Sequence, residues 1–473
     1  MLAPGGKKTT ATNRKGGEEV SIIGLGYVGL STAVCFASRG LKVYGVDIDS
    51  RKVEAILHGK IPFFEDGLEP MLKSALQKHF LDCSTDYAEG LSESDFTFIT
   101  VGTPSKPDGE IDLTFVKDAA SKIGEFLKQK QSYHVVVVKS SVIAGTTEGV
   151  VKPLIEKSSG KTCGKDFGLC ANPEFLYEGT AVRDTLSPDA IVIGAVDEHS
   201  GKSLLGLYKR FYQKMPPVIM TKPANAELIK YSVNTFRATQ LSYLNTLANL
   251  CEKILGANIE DVIFGLKSIT KIDNRYLKTG LGYGGSCLPK DLRALMAHCK
   301  ALGVDPVLLY GVDRTNEMLP HKVVEMAKRL VGNLKGKRIA VLGLAFKPGT
   351  DDIRESRAIE LVRALLSEGA QIKVYDPRAM ENVRRVLADA VVYASNSLDC
   401  IRDVDCCIVA TAWEEFKGMK PKEFKALMRE PALVDCWGIY EASVMEPGMA
   451  YARLGRISSY RSKSLLAESS SRF

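Results

Sequence analysis

Twelve residues, Gly280-Leu-Gly-Tyr-Gly-Gly-Ser-Cys-Leu-Pro-Lys-Asp291, place one thiol on a stretch too rich in glycine for the middle of a helix or strand. A cysteine on so bare a loop lets a substrate approach the sulfur closely, and Asp291, four residues on, puts a carboxylate near it. That pattern suits covalent catalysis by a thiolate with acid–base help. The same letters also describe a tight turn entering a helix at Asp291-Leu-Arg-Ala, with Cys287 as a small buried residue. Two more groups carry chemistry. Lys230 and Asn234 stand four apart in a long helical pattern, so they share a face. Lys230 is either a cation aimed at a site or a snorkelling surface group. Glu174 and Glu178 are also four apart, and if that spacing is helical the two acids point the same way; a solvated helix start is the other reading.

The elements that must position these groups begin with Val20-Ser-Ile-Ile-Gly, a short buried strand running into Gly24-Leu-Gly26-Tyr27-Val28-Gly29 and a helix from Leu30 to Ser38. The next strand, Leu41 to Asp47, ends on an acid 18 residues after Gly29. Strand, G-x-G-x-x-G, helix, strand and acid together form a dinucleotide fingerprint. Gly24 permits the turn, Gly26 lets backbone reach a pyrophosphate at the helix N-terminus, and Gly29 lets helix and strand pack. Asp47 accepts from ribose hydroxyls and repels a 2′-phosphate, so NAD is expected over NADP. Further strands run from Asp95 to Pro104, whose loop holds Thr103, from His134 to Ser141, and from Ala190 to Gly194. Pro223 to Leu255 reads as a helix joining two units, and strands at Lys337, Ile372, Asp405 and Ala432 begin a second α/β unit. Its first loop has Gly343 without the full glycine fingerprint, so a nucleotide-like ligand fits there better than a dinucleotide.

Bulk properties agree. At 473 residues, 45% hydrophobic and 25% charged, the chain is a globular protein of two or three domains. No apolar run approaches a membrane span, and the N-terminus is not a secretory signal. Residues 1–18 and 456–473 each carry +3 of the net +7, leaving about +1 for the body, which excludes a nucleic-acid face. Both ends are expected to be disordered tails. Eleven cysteines without C-x-x-C pairs and six scattered histidines give no metal-ligand spacing, and reduced thiols of a cytoplasmic protein are expected.

These motifs, in this order, resemble the UDP-glucose/GDP-mannose 6-dehydrogenase family across residues 19–440. The matching segments are Gly24–Leu30, Val101–Pro104, Asn172–Gly179, Ala226–Asn234, Gly284–Asp291 and Gly343–Ser356. The resemblance implies two Rossmann-like, doubly wound parallel-sheet domains joined by a helical region. An NAD-binding domain would span 19–220, a central domain for dimerisation and the cysteine loop 221–330, and a UDP-sugar-binding domain 331–455. It implies NAD-dependent oxidation of a nucleotide sugar at C6 from alcohol to acid, without metal, by a homodimer or higher homo-oligomer. UDP-glucose is the expected substrate and GDP-mannose the alternative, with N-acetylated UDP-hexosamines third and a non-catalytic binder last. By resemblance, Cys287 forms the thiohemiacetal and thioester. Lys230 and Asn234 stabilise oxyanions, Asp291 and Glu174 serve hydrolysis and proton transfer, and Ser141 positions water. Tyr27, Val28, Thr103, Ser141, Glu178 and Arg354 join the glycines and Asp47 on the cofactor side. Glu174, Phe175, Leu176, Lys230, Asn234, Lys271, Tyr276, Leu277, Lys278, Gly284, Phe346 and Lys347 face substrate. Three segments depart from the family pattern: Lys271-Ile-Asp273, Asp435-Cys-Trp437-Gly438 and Glu65-Asp66-Gly67-Leu68. The first two lack arginines expected to touch substrate.

Overall fold

The computed structural model of the protein describes residues 19–270 and 276–456. The expected tails, apart from Arg456, and Lys271 lie outside these residues. Among the described residues fourteen strands form two sheets. The first contains β1 (Glu19–Ile23), β2 (Lys42–Val46), β3 (Leu81–Ser84), β4 (Phe96–Ile99), β5 (Val135–Val138), β6 (Gly168–Ala171), β7 (Ile191–Ala195) and β8 (Val218–Thr221). The second contains β9 (Arg338–Leu342), β10 (Gln371–Tyr375), β11 (Val392–Tyr393), β12 (Cys406–Val409), β13 (Ala432–Asp435) and β14 (Ala450–Arg453). Their orders are β3-β2-β1-β4-β5-β6-β7-β8 and β11-β10-β9-β12-β13-β14. The doubly wound pattern therefore occurs twice, each with its reversal beside its first strand, where ligands bind at strand C-termini.

Both sheets are covered on two faces, as parallel sheets require. In β9 the alternation is plain: Ile339 and Val341 enter one apolar cluster with Leu361 and Val374, while Ala340 and Leu342 enter another with Phe416 and Phe424. In the first sheet Val20 and Ile22 pack with Phe36 and Phe98, and Ile23 packs with Ile99 and Val136 on the other side.

One pairing differs from the expected all-parallel sheet. β7 runs antiparallel to β6, with β8 parallel to β7. An antiparallel neighbour needs no crossover, so residues 172–190 stay at the C-terminal edge of the sheet. That edge is where the acidic segment is wanted. The helical reading of Glu174 and Glu178 is also corrected: residues 172–177 are irregular, because Pro173 disfavours helix at Asn172 and cannot donate within one.

The central helix Pro223–Cys251 starts on a proline, whose missing N–H costs a helix start nothing. Its 29 residues rise about 44 Å and pack on the helices Leu288–Ala301 and Val307–Val331. Among the described residues no helix is long and apolar enough to cross a membrane. All eleven cysteines are free.

Candidate active site

The glycine loop of the first sheet is built as its sequence requires. Gly24 has φ +95°, and a Cβ there would stand 2.9 Å from the Val101 backbone. Gly29 brings its helix so close that a Cβ would lie 1.9 Å from the Gly24 carbonyl oxygen. The Thr100 hydroxyl donates to the Ile23 and Gly24 carbonyls at 2.9 and 2.8 Å, tying the turn to β4. Asp47 is buried. Its Oδ2 accepts from Leu25 N at 2.8 Å and from the Lys52 ammonium at 2.7 Å, and its Oδ1 accepts from Asp49 N at 3.0 Å. A cavity of about 310 Å³ opens beside Gly24, Gly26, Asp47, Lys52 and Gly102. A helix N-terminus, open backbone at Gly26 and an acid with acceptor capacity left over fit the adenosine half of NAD. Tyr27 does different work: its hydroxyl bonds Glu65 and accepts from Gly179 N at 2.7 Å, joining the first helix to the acidic segment. Val28 is half-buried in the same helix. Thr103 donates to the Ser141 carbonyl at 2.9 Å, so the two strand-end hydroxyl residues are joined through backbone.

The cysteine loop is held from two sides. Asn316 clamps Tyr283, accepting from its N–H at 2.8 Å and donating to its carbonyl at 2.9 Å. Asn245 accepts from Gly280 N at 3.1 Å. Tyr283 itself packs with Ala238, Leu241, Leu292 and Val312. Cys287 caps the N-terminus of the helix Leu288–Ala301, with a proline in its first turn. Its sulfur therefore sits at the positive end of the helix dipole, which favours a thiolate. Cys287 is exposed along the cleft, yet protein atoms crowd it closely on the other sides. Crowding pushes the thiol up and Asp291 and Glu174 add to that, while Lys230 and Ser286 act against it. The Ser286 hydroxyl lies 3.4 Å from the sulfur and donates to Glu178 at 3.1 Å.

The central helix delivers the cation. Lys230 is buried and donates to the Glu174 carbonyl at 2.6 Å and to its carboxylate at 2.8 Å. Burial opposes the ammonium, but Glu174, Cys287 and Asp291 together hold its pKa above the ordinary lysine range. Burial likewise pushes Glu174 up, and Lys230 outweighs it, keeping the carboxyl low. One turn on, Asn234 donates to Asp291 at 2.6 Å; Asp291 is fully buried and also takes the Lys290 ammonium at 2.6 Å. Behind Glu174 stands a residue the sequence reading passed over, Lys139. It is buried, donates to Asn172 at 3.0 Å, and burial lowers it to about 8.

A cavity of about 140 Å³ gathers Leu176, Glu178, Lys230, Asn234, Tyr276, Lys278, Gly284, Cys287, Phe346 and Lys347, all expected in the site. The loop of residues 343–356 of the second sheet forms its roof. Gly285 N donates to the Arg354 carbonyl at 2.9 Å, and the Lys347 ammonium donates to the Glu178 carbonyl. Arg354 pairs with Asp352 and reaches Glu178 at 3.4 Å. Burial and the Asp352 charge push Glu178 up to about 7.

Not every expected residue reaches this cavity. Leu277 packs with Leu244, Ala248 and Ile263 instead. Phe175 stacks under the Lys230 ammonium at 5.4 Å and lines a larger void, about 710 Å³, behind Glu174. Ser141 is engaged through its carbonyl, which accepts from Thr103 and, at 3.4 Å, from Tyr231. Two wall residues stand outside the expected site, Trp437 being marked only as a departure from the family pattern. Trp437 lies where an arginine was expected; its ring covers Gly280, leaving a Cβ there only 2.3 Å, and the Lys278 ammonium sits 5.3 Å above it. Arg237 packs its guanidinium against the stacked pair of Tyr177 and Tyr276, 4.7 and 5.1 Å from the two ring centres. Its spacing, three after Asn234 and seven after Lys230, was legible; its aromatic neighbours, distant in sequence, were not.

The chain matches all three models of one family: the UDP-glucose/GDP-mannose dehydrogenase NAD binding domain over residues 18–212, the central domain over 224–318 and the UDP binding domain over 340–442. It is 43% identical over 419 residues to a UDP-glucose 6-dehydrogenase of Haloferax volcanii, covering 88% of this chain and 96% of that one. A Bacillus subtilis UDP-glucose 6-dehydrogenase is 37% identical over 440 residues, 93% of each chain. A solved UDP-glucose dehydrogenase from Pyrobaculum islandicum superposes with a TM-score of 0.85 at 39% identity, over 92% of this chain and 98% of that one. With the glycine fingerprint, the cysteine loop and the facing nucleotide loop in one cleft, the chain belongs to the UDP-glucose/GDP-mannose dehydrogenase family, whose members are NAD-dependent.

Proposed function

We propose that the protein oxidises UDP-glucose at C6 to UDP-glucuronate in two steps, with Cys287 as the covalent nucleophile. The observation that carries this is the cleft itself: a thiol at a helix N-terminus, coupled to a buried lysine, lies between a dinucleotide fingerprint and a second nucleotide loop. NAD, when bound through Gly24, Gly26, Gly29 and Asp47, accepts the hydride that leaves C6 at each stage. At the aldehyde stage the Cys287 sulfur adds to the C6 carbonyl and forms the thiohemiacetal. The charge that develops on oxygen falls to the Lys230 ammonium, with the Asn234 amide beside it. Hydride loss from the same carbon leaves a thioester, water adds to it, and the thiol departs as the acid forms. Asp291 and Glu174 handle the protons of that hydrolysis, with Ser141 at the strand end positioning water. Phe346, Lys347 and Lys278 hold the nucleotide and diphosphate. Overall one alcohol, two NAD⁺ and one water give one carboxylic acid, two NADH and two protons.

UDP-glucose is chosen over GDP-mannose because similar proteins at 37–43% identity bear that name. We also assign the protein to a homodimer built on the central helix, where Phe236, Tyr243 and Leu250 are more than half exposed at seven-residue spacing. Eleven free thiols support work in a reducing, cytoplasmic setting. The test is NADH formation by the full chain with UDP-glucose or GDP-mannose at equal concentration. Two NADH per UDP-glucose is expected; preference for GDP-mannose, or no NADH with either, overturns the reading.

A further inference from the structure

The substrate shell lacks two arginines that its motifs led us to expect, and the geometry points to Arg237 as the residue that takes over sugar recognition, gripping the C2–C3 edge of the hexose. This rests on the nucleotide-sugar reading above.

Arg237 shares the cavity wall with Cys287, Lys278 and Lys347. It lies on the face of the central helix that carries Lys230 and Asn234, two turns beyond Lys230 and so ~10 Å along the axis. The Tyr177 and Tyr276 rings, stacked on each other with centroids 6.1 Å apart, both lie against its guanidinium, and among the described residues its one polar contact is a long 3.4 Å approach to the Asn234 side-chain oxygen. Among the described residues no carboxylate pairs with it. Stacking fixes the plane of a guanidinium but leaves its edge N–H donors unengaged. A half-buried arginine with an oriented plane and unengaged donors is built to meet a ligand.

Which part of the ligand follows from the neighbours. Cys287 and Lys230 fix C6. Lys278 and Lys347, the latter on the second nucleotide loop itself, line the same cavity, are each depressed by burial, and suit the diphosphate on the anomeric carbon. The ring edge left over carries the C2 and C3 hydroxyls, a vicinal pair that matches the planar fork of a guanidinium. Trp437 cannot supply this contact. Its indole N–H already donates to the Ala410 carbonyl at 2.7 Å, and its ring faces Gly280 and Lys278.

The experiment uses the full chain and the variants Arg237→Met and Arg237→Lys. Four quantities are read: kcat and KM for UDP-glucose, KM for UDP-2-deoxyglucose, and the Kd of UDP alone by calorimetry. Hydrogen bonds to a charged donor predict a KM rise of about tenfold to a hundredfold for UDP-glucose in Arg237→Met, with kcat changed by less than a few-fold. Arg237→Lys should recover part of the loss, and UDP affinity should stay within about twofold. The wild type should lose affinity for the 2-deoxy sugar, and Arg237→Met should no longer tell the two sugars apart. An unchanged KM overturns the inference. So does a UDP affinity that falls as far as that of UDP-glucose, which would place the contact on phosphate or reveal a collapsed cleft. Wild-type protein that makes no NADH from UDP-glucose removes the functional reading and this inference together; an active wild type with an indifferent variant removes this inference alone.

Discussion

Replacing Lys230 by methionine separates the two duties of that residue. The ammonium holds Glu174 in a pair whose members are only 4% and 7% exposed. Removing one partner of a buried pair costs about 3–5 kcal/mol, because the other charge is left behind. Here the lower end applies: Lys139 also acts on Glu174, and Leu176 N still donates to it at 2.5 Å. A loss of ~3 kcal/mol is therefore expected at neutral pH. Without Lys230, burial, the largest influence on Glu174, is opposed only by Lys139 and the Leu176 N–H and raises its pKa, so the loss should shrink as pH falls and the carboxyl becomes neutral. Glu174→Gln in the Lys230→Met background should restore most of the stability, since neither member of the pair then leaves an unmatched charge behind. Catalysis should behave otherwise. An oxyanion partner is worth about 10²–10³ in kcat, and Glu174→Gln should not return it. Urea unfolding followed by circular dichroism and NADH formation under saturating substrate read the two effects on the same samples. Turnover within tenfold of wild type, or a stability loss below about 1 kcal/mol, would refute the assignment of Lys230 as a buried, charge-bearing catalytic group.

Other outcomes follow from the same geometry. Cys287→Ala should abolish acid formation and covalent trapping of the sugar seen by intact mass; undiminished acid production excludes the thioester route. Asp47→Asn should raise the use of NADP relative to NAD, since Lys52, now paired to Asp47 at 2.7 Å, becomes available to a 2′-phosphate. A ratio that stays as in the wild type contradicts that role. Glu227 is buried beneath donors from Gly145 N at 2.6 Å, Thr147 N at 2.8 Å and the Thr147 hydroxyl at 2.6 Å, yet burial pushes it from 4.5 to about 7. Between those values the folded chain binds more protons than the unfolded chain, so stability should fall as pH rises through this window, by at most ~3 kcal/mol from this group. Glu227→Gln should flatten that slope, as followed by urea midpoints across the window; an unchanged slope assigns it to another group.

Much of this molecule could be read from its residues, and the exceptions have physical causes. Local signals worked wherever chemistry is local. The run Gly24 to Asp47 folds as its spacing requires, and a second sheet of the same strand order follows from the strands at Arg338, Gln371, Cys406 and Ala432. Signals failed where one residue overrules a period. Pro173 turns an apparent helical pair of glutamates into an extended segment, and Glu174 meets Lys230 because the antiparallel β7 keeps that segment at the sheet edge. Neighbours far apart in the chain were hidden as well. Nothing near Leu277 in sequence reveals that Leu244 and Ile263 surround it, and nothing near Arg237 reveals its stacking on Tyr177. Lys139 escaped because a buried lysine and a surface lysine are the same letter.

The repeated strand order has a consequence for stoichiometry. Asp376 occupies in the second sheet the place that Asp47 holds in the first. Its carboxylate, however, already accepts from Leu344 N, Ala345 N, Arg378 N, Ala379 N and the Trp413 indole. Five donors leave it no capacity for a ribose. Among the described residues the chain thus offers one dinucleotide seat for a conversion that the proposed chemistry makes a four-electron one. The first reduced cofactor must leave and a second oxidised one enter while the half-oxidised sugar stays behind. A carbon bonded to Cys287 cannot diffuse away during that exchange, so in the proposed chemistry the thiol serves as a tether as well as a nucleophile.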